Sequence, residues 1–99
     1  MKHERIDTPD STTLRIEGSL DAVSTPELRP LIDELVTSGK KSVHLDLKAL
    51  RLIDSSGVGA IVSLYKRMRA QGGEVRITGL KDQPLAIFKL LRLDRVFPI

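Results

Sequence analysis

The sequence contains no cysteine, which removes disulfides, thiol nucleophiles and thiolate metal sites together. Aromatic residues make up only 3% of the chain, leaving few rings on which bases could stack. No helix-turn-helix or zinc-finger pattern accompanies its charge, so direct nucleic-acid binding is not expected. No apolar run approaches the ~20 residues that would span a bilayer, so no membrane insertion is expected. The opening "MKHERIDTPD" is charged and has no apolar signal-peptide core, which fits a cytoplasmic protein. What remains is an ordinary globular composition, 40% hydrophobic and 29% charged, and 99 residues fit one domain, 1–99. The net charge of +3 is unevenly spread: residues 1–49 carry 7 basic and 9 acidic side chains, residues 50–99 carry 9 and 4. A basic second half suits an acidic partner.

Hydrophobic periodicity sets the expected elements. "HERID" and "TTLRIE", separated by the turn-forming "TPDS", predict an N-terminal hairpin that Gly18 ends. "STPELRPLIDELVTSGK" predicts a helix with Thr25 as N-cap, Pro26 at its first position and Gly39 as its stop. "SVHLDL" alternates as a strand. A second helix carries Val58, Ile61, Val62, Tyr65 and Met68 and ends at Gly72–Gly73. "EVRITGL" is a further strand, Asp82 and Pro84 open a third helix, and "RVFPI" reads as a closing strand. The resulting order, β-β-α-β-α-β-α-β, predicts an α/β domain with a mixed, mostly parallel sheet. Clean alternation in its strands predicts helices mainly on one face.

The chemistry concentrates in "LIDSSGVGAI", residues 52–61. A serine at a strand-to-helix turn invites comparison with the nucleophile elbow G-x-S-x-G, yet Ile53 and Asp54 stand where its first glycine belongs. No histidine follows Ser55, and His44 lies on the polar side of its strand, so a general base is lacking. The two histidines and scattered carboxylates have no metal-ligand spacing, and no lysine follows the glycines as a phosphate loop requires. No cofactor is implied. Asp54, Ser55 and Ser56 are all good N-caps, but one would suffice. Gly57 and Gly59 each cost a helix up to ~1 kcal/mol relative to alanine. Such glycines admit a close approach, either by the protein's own sheet or by another protein. Asp21, in "GSLD" after a strand, is either a loop acid near a helix start or part of the same rim as the serines.

These residues resemble the STAS domains of bacterial anti-sigma factor antagonists. The likeness runs through "EGSLD", "VHLDL", D-S-S-G-V-G and the helix that ends in Gly-Gly before a strand. The resemblance implies a partner switch rather than an enzyme. Its implied partner is an anti-sigma factor that is itself a serine kinase of the histidine-kinase-like ATPase fold. That kinase would phosphorylate the first motif serine, Ser55, and so turn binding off; a PP2C-type phosphatase would restore it. The expected partner-binding set is Asp21, Asp54, Ser55, Ser56, Gly57 and Gly59, on a monomer or weak dimer. Phosphate at Ser55 is expected to be accommodated by free helix N–H groups and the dipole. Related domains also act in non-sigma switches, as unphosphorylated scaffolds or as transporter-associated adaptors, and relatives commonly continue past the last strand with a further helix.

Overall fold

A computed structural model describes residues 1–97. The elements run β1 (Lys2–Asp7), β2 (Ser11–Leu20), α1 (Thr25–Thr37), β3 (Ser42–Asp46), β4 (Leu50–Ile53), α2 (Ser55–Ala70), β5 (Glu74–Thr78), α3 (Asp82–Leu90) and a 3-10 turn (Leu93–Arg95). β1 and β2 form the expected antiparallel hairpin, Lys2 opposite Glu17 through Asp7 opposite Thr12. β3 lies parallel to β2 and β5 parallel to β3, which gives the strand order β1-β2-β3-β5. The sheet is therefore mixed and mostly parallel, as the alternation of strands and helices required.

Period-two burial explains why the strands form here. Leu14 and Ile16 on β2, Val43 and Leu45 on β3, and Val75 and Ile77 on β5 point to one face and are buried. α1 buries Leu28, Ile32 and Leu35, and α2 buries Val58, Ile61, Leu64 and Met68. The opposite face is polar and held by ion pairs: Arg15 bonds Asp46 at 3.2 Å and Glu4 at 3.5 Å. His44 Nε2 lies 2.7 Å from Thr78 Oγ1 on that same face. No helix among the described residues is long and apolar enough to cross a membrane.

Three expectations are corrected. "LRLI" is a separate strand, β4, which takes up the ladder against β2 where β3 leaves off, pairing Gly18, Ser19 and Leu20 with Leu50, Leu52 and Ile53. Its burial runs buried, exposed, exposed, buried, so period two does not reveal it. The register slips between Gly18 and Ser19, and Gly18 has φ +86°, a conformation that suits a bulge and that glycine adopts without strain. The second correction is at the C-terminal end. Residues 95–97 of "RVFPI" form no strand, and Pro98 and Ile99 lie outside the described residues. The N–H groups of Val96 and Phe97 both bond back to the Leu93 carbonyl, at 3.0 and 2.8 Å, which commits them to a local turn. The Phe97 ring is wholly buried, edge-on to Tyr65 at 4.9 Å and 6.2 Å from Phe88, so burial of one ring replaces strand pairing there. Thirdly, α1 begins at Thr25 with Ser24, not Thr25, as the flanking residue.

Candidate functional site

Parallel pairing of β2 with β4 builds the site. Leu20 and Ile53 are register partners at the carboxyl ends of these strands. The next residues, Asp21 and Asp54, therefore leave the sheet side by side on the edge where open α/β sheets present their sites. The expected rim of Asp21 with the D-S-S motif is thus formed by strand register.

Asp54 alone caps α2. Its Oδ1 accepts from the N–H groups of Ser56 at 2.9 Å and Gly57 at 3.2 Å, while Oδ2 accepts from the Ala22 N–H at 3.1 Å. One carboxylate thereby closes the helix start and anchors the loop that follows β2. Asp21 organises that loop from the other side. Its Oδ1 accepts from the Val23 and Ser24 N–H groups, both at 3.0 Å, and lies 3.1 Å from the Ser24 hydroxyl. Ser24 is buried; its hydroxyl also donates to the Ser19 carbonyl at 2.9 Å.

The Ser24 N–H, opposed by desolvation and aided by the Ser24 hydroxyl and Val23 N–H, holds the Asp21 carboxyl below its ordinary range. A carboxyl lowered in the folded state adds stability above its unfolded pKa of about 4, and that stability is lost as pH falls through the folded value. Urea midpoints are therefore expected to drop between pH 5 and pH 2, and to drop less in Asp21→Asn. Asp7, lowered chiefly by the Thr12 hydroxyl, accounts for part of the residual slope. Equal slopes in the two proteins would mean that the Asp21 bonds do not survive in solution.

With capping done by Asp54, the two serines have other standing. Ser55 is the first helical residue and is exposed; Ser56 is half-buried. The two glycines also separate. A β-carbon on Gly57 would lie 2.6 Å from the Leu20 carbonyl oxygen, 2.7 Å from Ile53 Cγ1 and 2.9 Å from Leu20 Cγ. The close approach at Gly57 is made by the protein's own strand ends, and this buried residue drops out of the expected partner-binding set. A β-carbon on Gly59 would meet nothing within 4 Å, and Gly59 is exposed. The Ser56 and Gly57 N–H groups already bond Asp54, so two of the amides expected to meet a phosphate at Ser55 are engaged, while the field of the helix end still favours an anion there.

Residues that sequence reasoning missed complete the site. Gln83, from the first turn of α3, bonds the Ile53 backbone twice. Its signal lies thirty residues from Ile53 and in no periodic pattern. Ser24 was within reach, since S-T-P offers two capping residues before the proline. Ser19, Asp21, Leu52, Ile53, Asp54 and Gln83 line a concavity of about 260 Å³ beside the serines, with Leu52 55% exposed on its wall. His44 stands on the opposite sheet face, bonded to Thr78, and gives Ser55 no base.

The class that this fold and rim define is the STAS domain. The STAS domain family model matches residues 2–99, and the chain belongs to that family. It is 28% identical over 86 residues to the anti-sigma-B factor antagonist of Bacillus subtilis (strain 168), covering 87% of this chain and 78% of that protein. Among solved structures, an anti-sigma factor antagonist from Mycobacterium paratuberculosis matches with TM-score 0.87 at 21% identity, over 98% of this chain and 82% of that one. The Bacillus cell fate determinant SpoIIAA in its phosphorylated form matches with TM-score 0.78 at 20% identity, over 95% and 86%. At these identities the structural matches establish the shared fold.

Proposed function

We propose that this chain is an anti-sigma factor antagonist acting in a partner switch. Its unphosphorylated rim, built from Asp21, Asp54, Ser55, Ser56 and Gly59, binds a serine-kinase anti-sigma factor of the histidine-kinase-like ATPase fold. Ser55 is the acceptor, and a PP2C-type phosphatase reverses the modification. The observation that carries this reading is an exposed serine at the first position of α2 that is not needed as a cap, because Asp54 fills that role. Relatives named as anti-sigma factor antagonists, and a fold relative solved in a phosphorylated form, support it.

The chemistry asked of Ser55 is simple. Its Oγ attacks the γ-phosphorus of the kinase's ATP, the bond from that phosphorus to the bridging oxygen breaks, ADP leaves, and the hydroxyl proton passes to a base on the kinase. The product adds about −1.5 to −2 charges beside Asp54 and its neighbour Asp21. A surface that must be covered by a partner then carries three adjacent anions.

The test is an affinity capture from native extract with the wild-type chain as bait, followed by ATP and phosphate mapping. Retention of an ATPase that places phosphate on Ser55 is expected. Phosphate on Ser56 alone, or a captured protein with no kinase activity, would sink the reading. In that case a transporter-associated or self-assembling adaptor becomes the better account.

A further inference from the structure

Parallel pairing uses alternate residues of β4. The Asp54 N–H turns to β2 and bonds the Leu20 carbonyl at 3.1 Å. Ile53 turns its N–H and C=O the other way, toward the edge of the sheet. Both are taken by one side chain: Gln83 Oε1 accepts from the Ile53 N–H at 2.9 Å, and Gln83 Nε2 donates to the Ile53 carbonyl at 2.9 Å. The amide thus occupies the place of a neighbouring strand.

The chain accepts a cost to put it there. α3 has no side-chain N-cap, and Asp82, next to Gln83, has φ +52°, in the left-handed region that side-chain-bearing residues rarely adopt. Pro84 follows and is buried, fixing the helix start from the other side. Gln83 itself is exposed, so water could serve the Ile53 backbone in its absence. Simple satisfaction of two hydrogen bonds does not account for a strained, uncapped helix start. What the clasp adds is position. Ile53 immediately precedes the capping Asp54 and lies two residues before Ser55, which is thereby held from β2, from the loop after β2 and from α3.

We propose that Gln83 is a positioning residue for Ser55, fixing the β4–α2 junction in the geometry that presents the hydroxyl for phosphoryl transfer. The proposal rests on Ser55 being the acceptor. It is tested on the full chain with the kinase captured by the wild-type bait, comparing wild type, Gln83→Met and Gln83→Glu. The Met side chain keeps the length without the amide; Glu keeps the acceptor and loses the donor.

In Gln83→Met, kcat for Ser55 phosphorylation is expected to fall about tenfold with KM within about threefold, the pattern of a misplaced nucleophile. Amide hydrogen exchange at Ile53, Ser56 and Gly57 is expected to accelerate about tenfold or more, while Leu14 and Leu64 keep wild-type protection. Gln83→Glu is expected to fall between. An unchanged kcat with loosened junction amides would overturn the proposal, leaving Gln83 as cover for a strand edge. So would a fall in kcat accompanied by lost protection at Leu14 and Leu64, which would be a general loss of fold. Wild-type chain that takes no phosphate at Ser55 would remove the functional reading and this proposal with it, and the wild-type arm alone shows which has failed.

Discussion

Ser55→Asp is expected to weaken binding of the captured kinase by ~100-fold or more, equivalent to at least about 2.7 kcal/mol, while leaving the domain at least as stable as wild type. The two halves have separate causes. Ser55 is exposed at the first position of α2, so a carboxylate there displaces no packed atom. It also sits at the positive end of the helix, where an anion contributes about 0.3–1 kcal/mol in favour of folding. The penalty falls on the interface, where a new negative charge joins Asp54 and Asp21 on a surface the partner must desolvate. Titration calorimetry of wild type, Ser55→Asp and Ser55→Ala, with thermal melts of each, separates the effects. Ser55→Ala is expected to bind within about threefold of wild type, because removing an exposed hydroxyl adds no charge. Equal affinity for wild type and Ser55→Asp would reject the switch. A large drop in Tm for Ser55→Asp would instead mean that lost folding explains lost binding.

The second large effect separates two glycines that look alike in D-S-S-G-V-G. Gly57→Ala is expected to destabilise the fold by about 2 kcal/mol, lowering Tm by about 10 °C. The added carbon would sit 2.6 Å from the Leu20 carbonyl oxygen, and backbone at a strand end cannot move aside as a flexible side-chain tip can. α2 must then lift off β2 and β4, and with it the cap that Asp54 makes. Gly59→Ala is expected to do the reverse, stabilising by about 0.5–1 kcal/mol through helix propensity, since its new carbon meets open space. Urea unfolding of the two variants decides the matter, and similar destabilisation in both would contradict the packing described for α2. The glycine at 59 therefore costs stability without any return among the described residues. In the proposed function that return is a partner's close approach, so Gly59→Leu is expected to weaken kinase binding in a protein that still folds.

Much of this architecture is legible without coordinates. Alternation in "TTLRIE", "SVHLDL" and "EVRIT" exposes three strands because each has one covered face, and the helical spacing of Leu28, Leu31, Ile32 and Leu35 marks α1 in the same way. The D-S-S motif announces a helix start, because only a few side chains can accept from its orphan N–H groups. These features are local: a strand or helix writes its period into its own residues. Tertiary structure decided what depends on distant residues meeting. β4 escapes periodicity because its exposed middle pair, Arg51 and Leu52, breaks alternation, and only pairing with Gly18–Leu20 makes it a strand. "RVFPI" has strand-like residues, but the Phe97 ring finds Tyr65 and Phe88, and burying it outweighs pairing the backbone. Gly57 and Gly59 differ only in which of them faces the strand ends, and Gln83 acts on a strand thirty residues away. Which caps and glycines are available is a property of short stretches of chain. Which serine is left free, and what holds it, follows from the side-by-side exit of β2 and β4, a consequence of sheet register that no local pattern encodes.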